Sequence, residues 1–184
     1  MRSLYVFLAK EEFIMITEKY YIVENKNIMA MRTAEQWLSE YGESHRNETN
    51  KLIHWICVPL IFFSIVGLLY TIKLPWLIGG YTVNVAVIAL ILVAIYYLRL
   101  SLSLGIAMIL FIMICLSLCY FIENNTSLQL WMISVIIFVL AWIGQFYGHK
   151  VEGKKPSFLK DLQFLLIGPM WLMSFLFKRS GINY

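Results

Sequence analysis

From residue 52 onward, long apolar runs alternate with short polar connections. Four runs, 52–72, 76–98, 100–122 and 128–147, approach or exceed the length of about 20 apolar residues that crosses a hydrocarbon core about 30 Å thick. The connections are Lys73-Leu74-Pro75, the neighbourhood of Arg99, and Glu123-Asn124-Asn125-Thr126-Ser127. Connections this short predict antiparallel neighbours. A fifth apolar stretch, 162–177, is shorter and carries Gly168-Pro169. Proline inside a helix removes a hydrogen bond and clashes with the preceding turn, so this stretch is predicted to be re-entrant or interfacial. Upstream, Thr33-Ala34-Glu35-Gln36 reads as a capping box followed by Trp37, Leu38 and Tyr41 at helical spacing. That pattern predicts an amphipathic helix over 33–43, lying on the membrane surface or packed on the bundle. The predicted fold class is all-α: an integral membrane helical bundle of four transmembrane helices, a Gly-Pro-broken fifth segment and an N-terminal amphipathic helix.

Composition agrees with a bilayer as solvent. The chain of 184 residues is 60% hydrophobic and 14% charged, against about a quarter charged in soluble domains, and its mean hydropathy is +0.73. The net charge of +4 is carried by the N-terminal region and the connections. There it reads as an orientation signal; no basic stripe with interleaved aromatics suggests nucleic acid. Residues 1–31 are interrupted by Arg2, Lys10, Glu11 and Glu12 and contain neither a signal-peptide core nor a span. They are expected to form an extension ahead of a single membrane-embedded domain over 32–184. Cys57, Cys115 and Cys119 fall within apolar runs and read as small residues at helix contacts. Trp55, Trp76, Tyr97, Trp142 and Tyr147 lie near run ends and read as an aromatic belt.

The candidate chemistry sits at the edges of the first and fourth runs. All three histidines of the chain are there: His45 and His54 around the first, His149 at the end of the fourth. Four crossings separate the two clusters, an even number, so both fall on one membrane face. Arg46, Lys51, Arg99, Lys150, Lys154, Lys155 and Lys160 share that face, which makes it cytoplasmic by the positive-inside rule.

At about 100° per residue, Asn47, Asn50 and His54 share one helix face, and so do Gln145, His149 and Glu152. His45 lies off the first stripe. It joins only if the helix starts after it, an arrangement that Asn47 as helix cap would provide. Polar groups at a membrane edge are costly and are functional candidates. Three neutral imidazoles suit Fe, Zn or Cu and leave coordination positions open. Glu152 is a candidate fourth ligand or an acceptor behind an imidazole. Asn47, Asn50 and Gln145 are expected behind the ligands, because amides coordinate weakly. On spacing alone, interfacial histidines bonded to backbone or headgroups are an equal alternative.

His45-x-Asn47-x-x-Asn50-x-x-x-His54 with Val58-Pro59 resembles the first motif of the 2-hydroxy-fatty-acid dioxygenase family, small membrane proteins whose fungal member acts in phytosphingosine breakdown. Trp142-x-x-Gln145-Phe146-x-Gly148-His149-x-x-Glu152-x-Lys154-Lys155-Pro156 is similar to its second motif, and Gly168-Pro169 with Phe175-x-Phe177-Lys178 to its tail. The resemblance covers residues 37–181. It departs at Cys57, at Ser157, and at Arg46, where a second histidine can follow the first. The resemblance implies an Fe(II)-dependent dioxygenase that uses O₂ to shorten a 2-hydroxy fatty acid by one carbon. His45, His54 and His149 would hold the iron. An α-hydroxy carboxylate would chelate the metal while its acyl chain lies among the spans. Lys51, Lys150 or Arg46 would attract the carboxylate, unless each serves only as an orientation charge. The inner membrane of a bacterium or the endoplasmic reticulum of a eukaryote would be the location. Two other readings use the same residues: a zinc-dependent membrane hydrolase with Glu152 as general base, and a non-enzymatic lipid-binding scaffold.

Overall fold

A computed structural model describes residues 32–153 and 164–184. The expectations placed on 1–31, on Lys154-Lys155-Pro156 and on the first residues of 162–177 lie outside the described residues. The elements in chain order are α1 (Ala34–Gly42), α2 (Glu48–Tyr70), β1 (Lys73–Ile78), β2 (Tyr81–Asn84), α3 (Val85–Leu100), α4 (Leu102–Asn125), α5 (Leu130–Glu152) and α6 (Ile167–Arg179).

Among the described residues, three helices are long and apolar enough to cross a membrane: α2, α4 and α5, of 23, 24 and 23 residues. At 1.5 Å per residue each is about 35 Å long. Their outward faces carry Leu110, Ile114, Phe121, Ile136, Leu140 and Ile143, all more than half exposed. Surface this apolar calls for an apolar solvent.

The second hydrophobic run departs from expectation. Its first part is a β-hairpin, and α3 keeps only 16 residues, about 24 Å of helix. The reason is local. Gly79 and Gly80 adopt φ of 58° and 83°, the left-handed pair that closes a two-residue hairpin turn. Ile78 pairs with Tyr81 and Leu77 with Thr82 across it, and the register slips between Lys73 and Leu77. Pro75, which has no N–H to give a ladder, sits in that slip. Asn84 then starts α3, its side chain accepting from Val87 N at 3.1 Å.

Gly168-Pro169 does not break a helix either; it opens one. Pro169 stands in the first turn of α6, which begins at Ile167, where its missing N–H would have found no intrahelical partner. The amphipathic helix α1 packs on protein. Its buried residues Ala34, Leu38 and Tyr41 face inward, with Tyr41 edge-on to Trp171 of α6 at 5.2 Å and Trp37 edge-on to Phe164 at 6.0 Å. The aromatic belt is also smaller than expected. Trp55, Trp76 and Tyr147 are exposed, but Tyr97 and Trp142 are buried, and the Tyr97 hydroxyl donates to Leu166 O at 2.6 Å.

The pairing that positions the site is α2 against α5. Three close approaches run along it. A Cβ on Gly67 would collide with Ser134 Oγ, one on Gly144 would meet Cys57 Sγ at 2.6 Å, and one on Gly148 would collide with Asn50 Oδ1. Positions rise along one helix as they fall along the other, so the pair is antiparallel. Small residues let backbones approach closely where no hydrophobic drive exists between helices in lipid.

Replacing Gly67 or Gly144 by Val should therefore lower stability by about 1–3 kcal/mol through overpacking. Leu140→Ala, on a side chain 63% exposed, should change it by less than about 0.5 kcal/mol. Unfolding titrations in detergent test this; glycine variants as stable as the parent would refute the tight α2–α5 contact.

Candidate metal centre

His54 lies on the second turn of α2 and is 1% exposed. Its Nδ1 is 2.8 Å from the carbonyl oxygen of Asn50, one turn back. His149 lies on the last turn of α5 and is 4% exposed. The antiparallel pairing of α2 and α5 brings these rings to 5.2 Å, nearly perpendicular.

His45 arrives from outside both helices. The chain leaves α1 at Gly42, and His45 N donates back to Gly42 O at 3.0 Å. Asn47 then caps α2 with φ −71° and ψ 130°, its side chain accepting from Thr49 N and Asn50 N. The helix thus begins after His45, as the off-stripe position required. The His45 ring stacks on Tyr41 at 4.2 Å and 16°, and its Nδ1 is 2.6 Å from Tyr41 O. It meets His54 at 4.2 Å and His149 at 5.7 Å.

The ligand nitrogens of all three histidines lie within 4.8 Å of one another. The hydrogen bonds fix the tautomers of two. A carbonyl oxygen only accepts, so Nδ1 of His45 and of His54 carries a proton, and in the neutral imidazole Nε2 holds the lone pair that can bind a metal. A backbone carbonyl behind an imidazole is the usual support of a metal-ligating histidine. The donor set therefore fits a transition metal, with nitrogen ligands that suit Fe or Zn. Among the described residues, this is where metal-ligating side chains gather in threes; Cys115 and Cys119 are buried in the hydrophobic core.

The other candidates fall into different places. Glu152 uses both carboxylate oxygens on N–H donors: Oε1 accepts from Arg46 N at 2.8 Å, and Oε2 from Asn47 N at 2.9 Å and Asn50 Nδ2 at 3.0 Å. It is not among the three grouped ligands. Asn50, fully buried, also donates to Ser44 O at 3.3 Å. Gln145 is 6% exposed and lines a cavity of about 30 Å³ beside His54, with Tyr41, Val58, Ile61 and Trp142. Lys51 pairs with Glu48 at 2.8 Å, and Arg46 and Lys150 are exposed. Two residues at this centre were not assigned to it from the sequence. Tyr41 supports His45, and Trp171 packs against that ring at 5.2 Å. The spacing of four between Tyr41 and His45 was the available signal.

A family profile described as 2-hydroxy-palmitic acid dioxygenase Mpo1-like matches residues 31–180. The chain belongs to the Mpo1-like family. It is 32% identical over 145 residues to the 2-hydroxy-palmitic acid dioxygenase MPO1 of Saccharomyces cerevisiae, covering 77% of this chain and 78% of the yeast protein. No solved structure matches the chain. In this Mpo1-like protein the matched region contains the whole histidine cluster.

Substituting His54 or His149 by Ala should lower transition-metal affinity by at least about 10–100-fold while α2 and α5 stay paired. Metal analysis of the purified variants, alongside circular dichroism, checks this. Unchanged metal content in folded His54→Ala would rule the cluster out.

Proposed function

We propose that this protein is an integral membrane dioxygenase that shortens 2-hydroxy fatty acids by one carbon at an iron(II) site made by His45, His54 and His149. The observation that carries the reading is the convergence of three buried imidazoles within 4.8 Å, in a chain of the Mpo1-like family. Iron(II) supplies the redox chemistry with O₂ and open positions for a chelating substrate. The reaction balances with no further reductant: a 2-hydroxy acid and O₂ give the acid one carbon shorter, CO₂ and water.

The protein residues have distinct parts in this reading. The three Nε2 or equivalent nitrogens hold the metal. Tyr41 O and Asn50 O accept from Nδ1–H of His45 and His54, which orients each ring and leaves Nε2 as the nitrogen that would bind the metal. Gln145, buried beside His54, offers an amide to the polar head of the substrate. Val58, Ile61 and Trp142 wall the same cavity and limit water there. Arg46, Lys51 and Lys150, near this end of α2 and α5, support a cytoplasmic site and draw a carboxylate from the membrane surface. The zinc hydrolase reading requires Glu152 as a free base at the metal, whereas both its oxygens already accept N–H donors.

Protein purified without oxygen and loaded with Fe(II) should convert 2-hydroxypalmitate to the acid one carbon shorter, only when O₂ is admitted. A chelator should abolish the activity, and His149→Ala should lower it at least about 100-fold. Product mass spectrometry reads the outcome; hydrolysis without O₂, or no shortened acid, would sink the proposal.

A further inference from the structure

Glu152 joins two parts of the chain about a hundred residues apart. Glu152 is the last residue of α5, and its carboxylate accepts from the backbone N–H groups of Arg46 and Asn47, at 2.8 and 2.9 Å, and from the Asn50 amide at 3.0 Å. Those backbone groups belong to the bend that carries His45. The carboxylate also faces the N-terminus of α2, where the helix dipole favours negative charge. His54 and His149 are placed differently: each sits inside a long helix, and the glycine contacts between α2 and α5 set their separation. His45 lies outside both long helices, in the bend between α1 and α2. Beyond its contacts with Tyr41, Gly42 and Trp171, the residue that follows it is held by Glu152.

We infer that Glu152 is a positioning residue, a latch that brings His45 into the metal site by fastening the Arg46–Asn47 backbone to the end of α5, and that it is not itself a ligand. The inference rests on the reading of the cluster as a metal centre. A carboxylate that accepts three N–H bonds is well suited to this task. Its replacement by an amide turns one acceptor into a donor that faces another donor, and the bend is released. The metal then keeps two imidazoles and loses the third.

The test uses full-length protein in detergent loaded with Cu(II), with pulsed EPR counting the coordinated imidazoles. Wild type should show three. Glu152→Gln and His45→Ala should each show two, with affinity lowered by about 10–100-fold. The double variant should lose little more than either single one, because both remove the same ligand. Three imidazoles in Glu152→Gln, with affinity within about threefold of wild type, would overturn the latch alone. Loss of an oxygen ligand with three imidazoles kept would make Glu152 a ligand and also overturn it. Wild type without imidazole-bound copper would overturn the metal reading and the latch with it. Should Glu152→Gln fail to fold, Glu152→Asp, which keeps the charge and shortens the reach, carries the same expectation of two imidazoles. Failure of both to fold would assign Glu152 to holding the fold and refute a role specific to His45.

Discussion

The antiparallel contact of α2 with α5 governs the placement of nearly every group at the site. Gly67, Gly144 and Gly148 leave no room for a side chain at three levels of this contact. Interaxial distance in such a pair is set by the side chains at the crossing. With it fixed, His54 and His149 are brought face to face by register alone, and the end of α5 is brought to the start of α2. Glu152 can then reach Arg46 and Asn47, and the third imidazole has a place to enter. Burying three imidazoles is costly without partners. The carbonyls of Tyr41 and Asn50 offset part of that cost for two of them.

The long helices were legible in the sequence because hydrophobic length is a one-dimensional property. The shared faces of Asn50 with His54 and of Gln145 with His149 were legible through stripe spacing, whereas the crossing count assumed four spans and three helices of the described residues reach spanning length. In the structure the meeting of the rings follows directly from helix pairing, without reference to a bilayer. The bend at His45 followed from a single capping residue, Asn47, whose preference for helix starts is strong enough to read locally.

What was not legible depended on short-range backbone geometry or on partners distant in sequence. Residues 76–84 are apolar enough to pass for helix, and only the paired glycines at 79 and 80 mark the hairpin. Pro169 read as a helix breaker because its position relative to the helix start was not known. Glu152 read as a fourth ligand or as an acceptor behind an imidazole, because its spacing from His149 puts it on the same face. Spacing cannot reveal that backbone donors from the other end of the fold occupy both its oxygens. Trp142 and Tyr97 looked like interfacial aromatics by position along their runs, yet lie in the interior.

The cavity beside His54 has a consequence for how a lipid would be met. At about 30 Å³ it has room for one or two small molecules of the size of water, and none for a long acyl chain. Under the proposed function, a long-chain acid would present only its head in this cavity, and its tail would lie outside it. The supply of substrate would then follow its mole fraction in the surrounding lipid rather than its aqueous solubility.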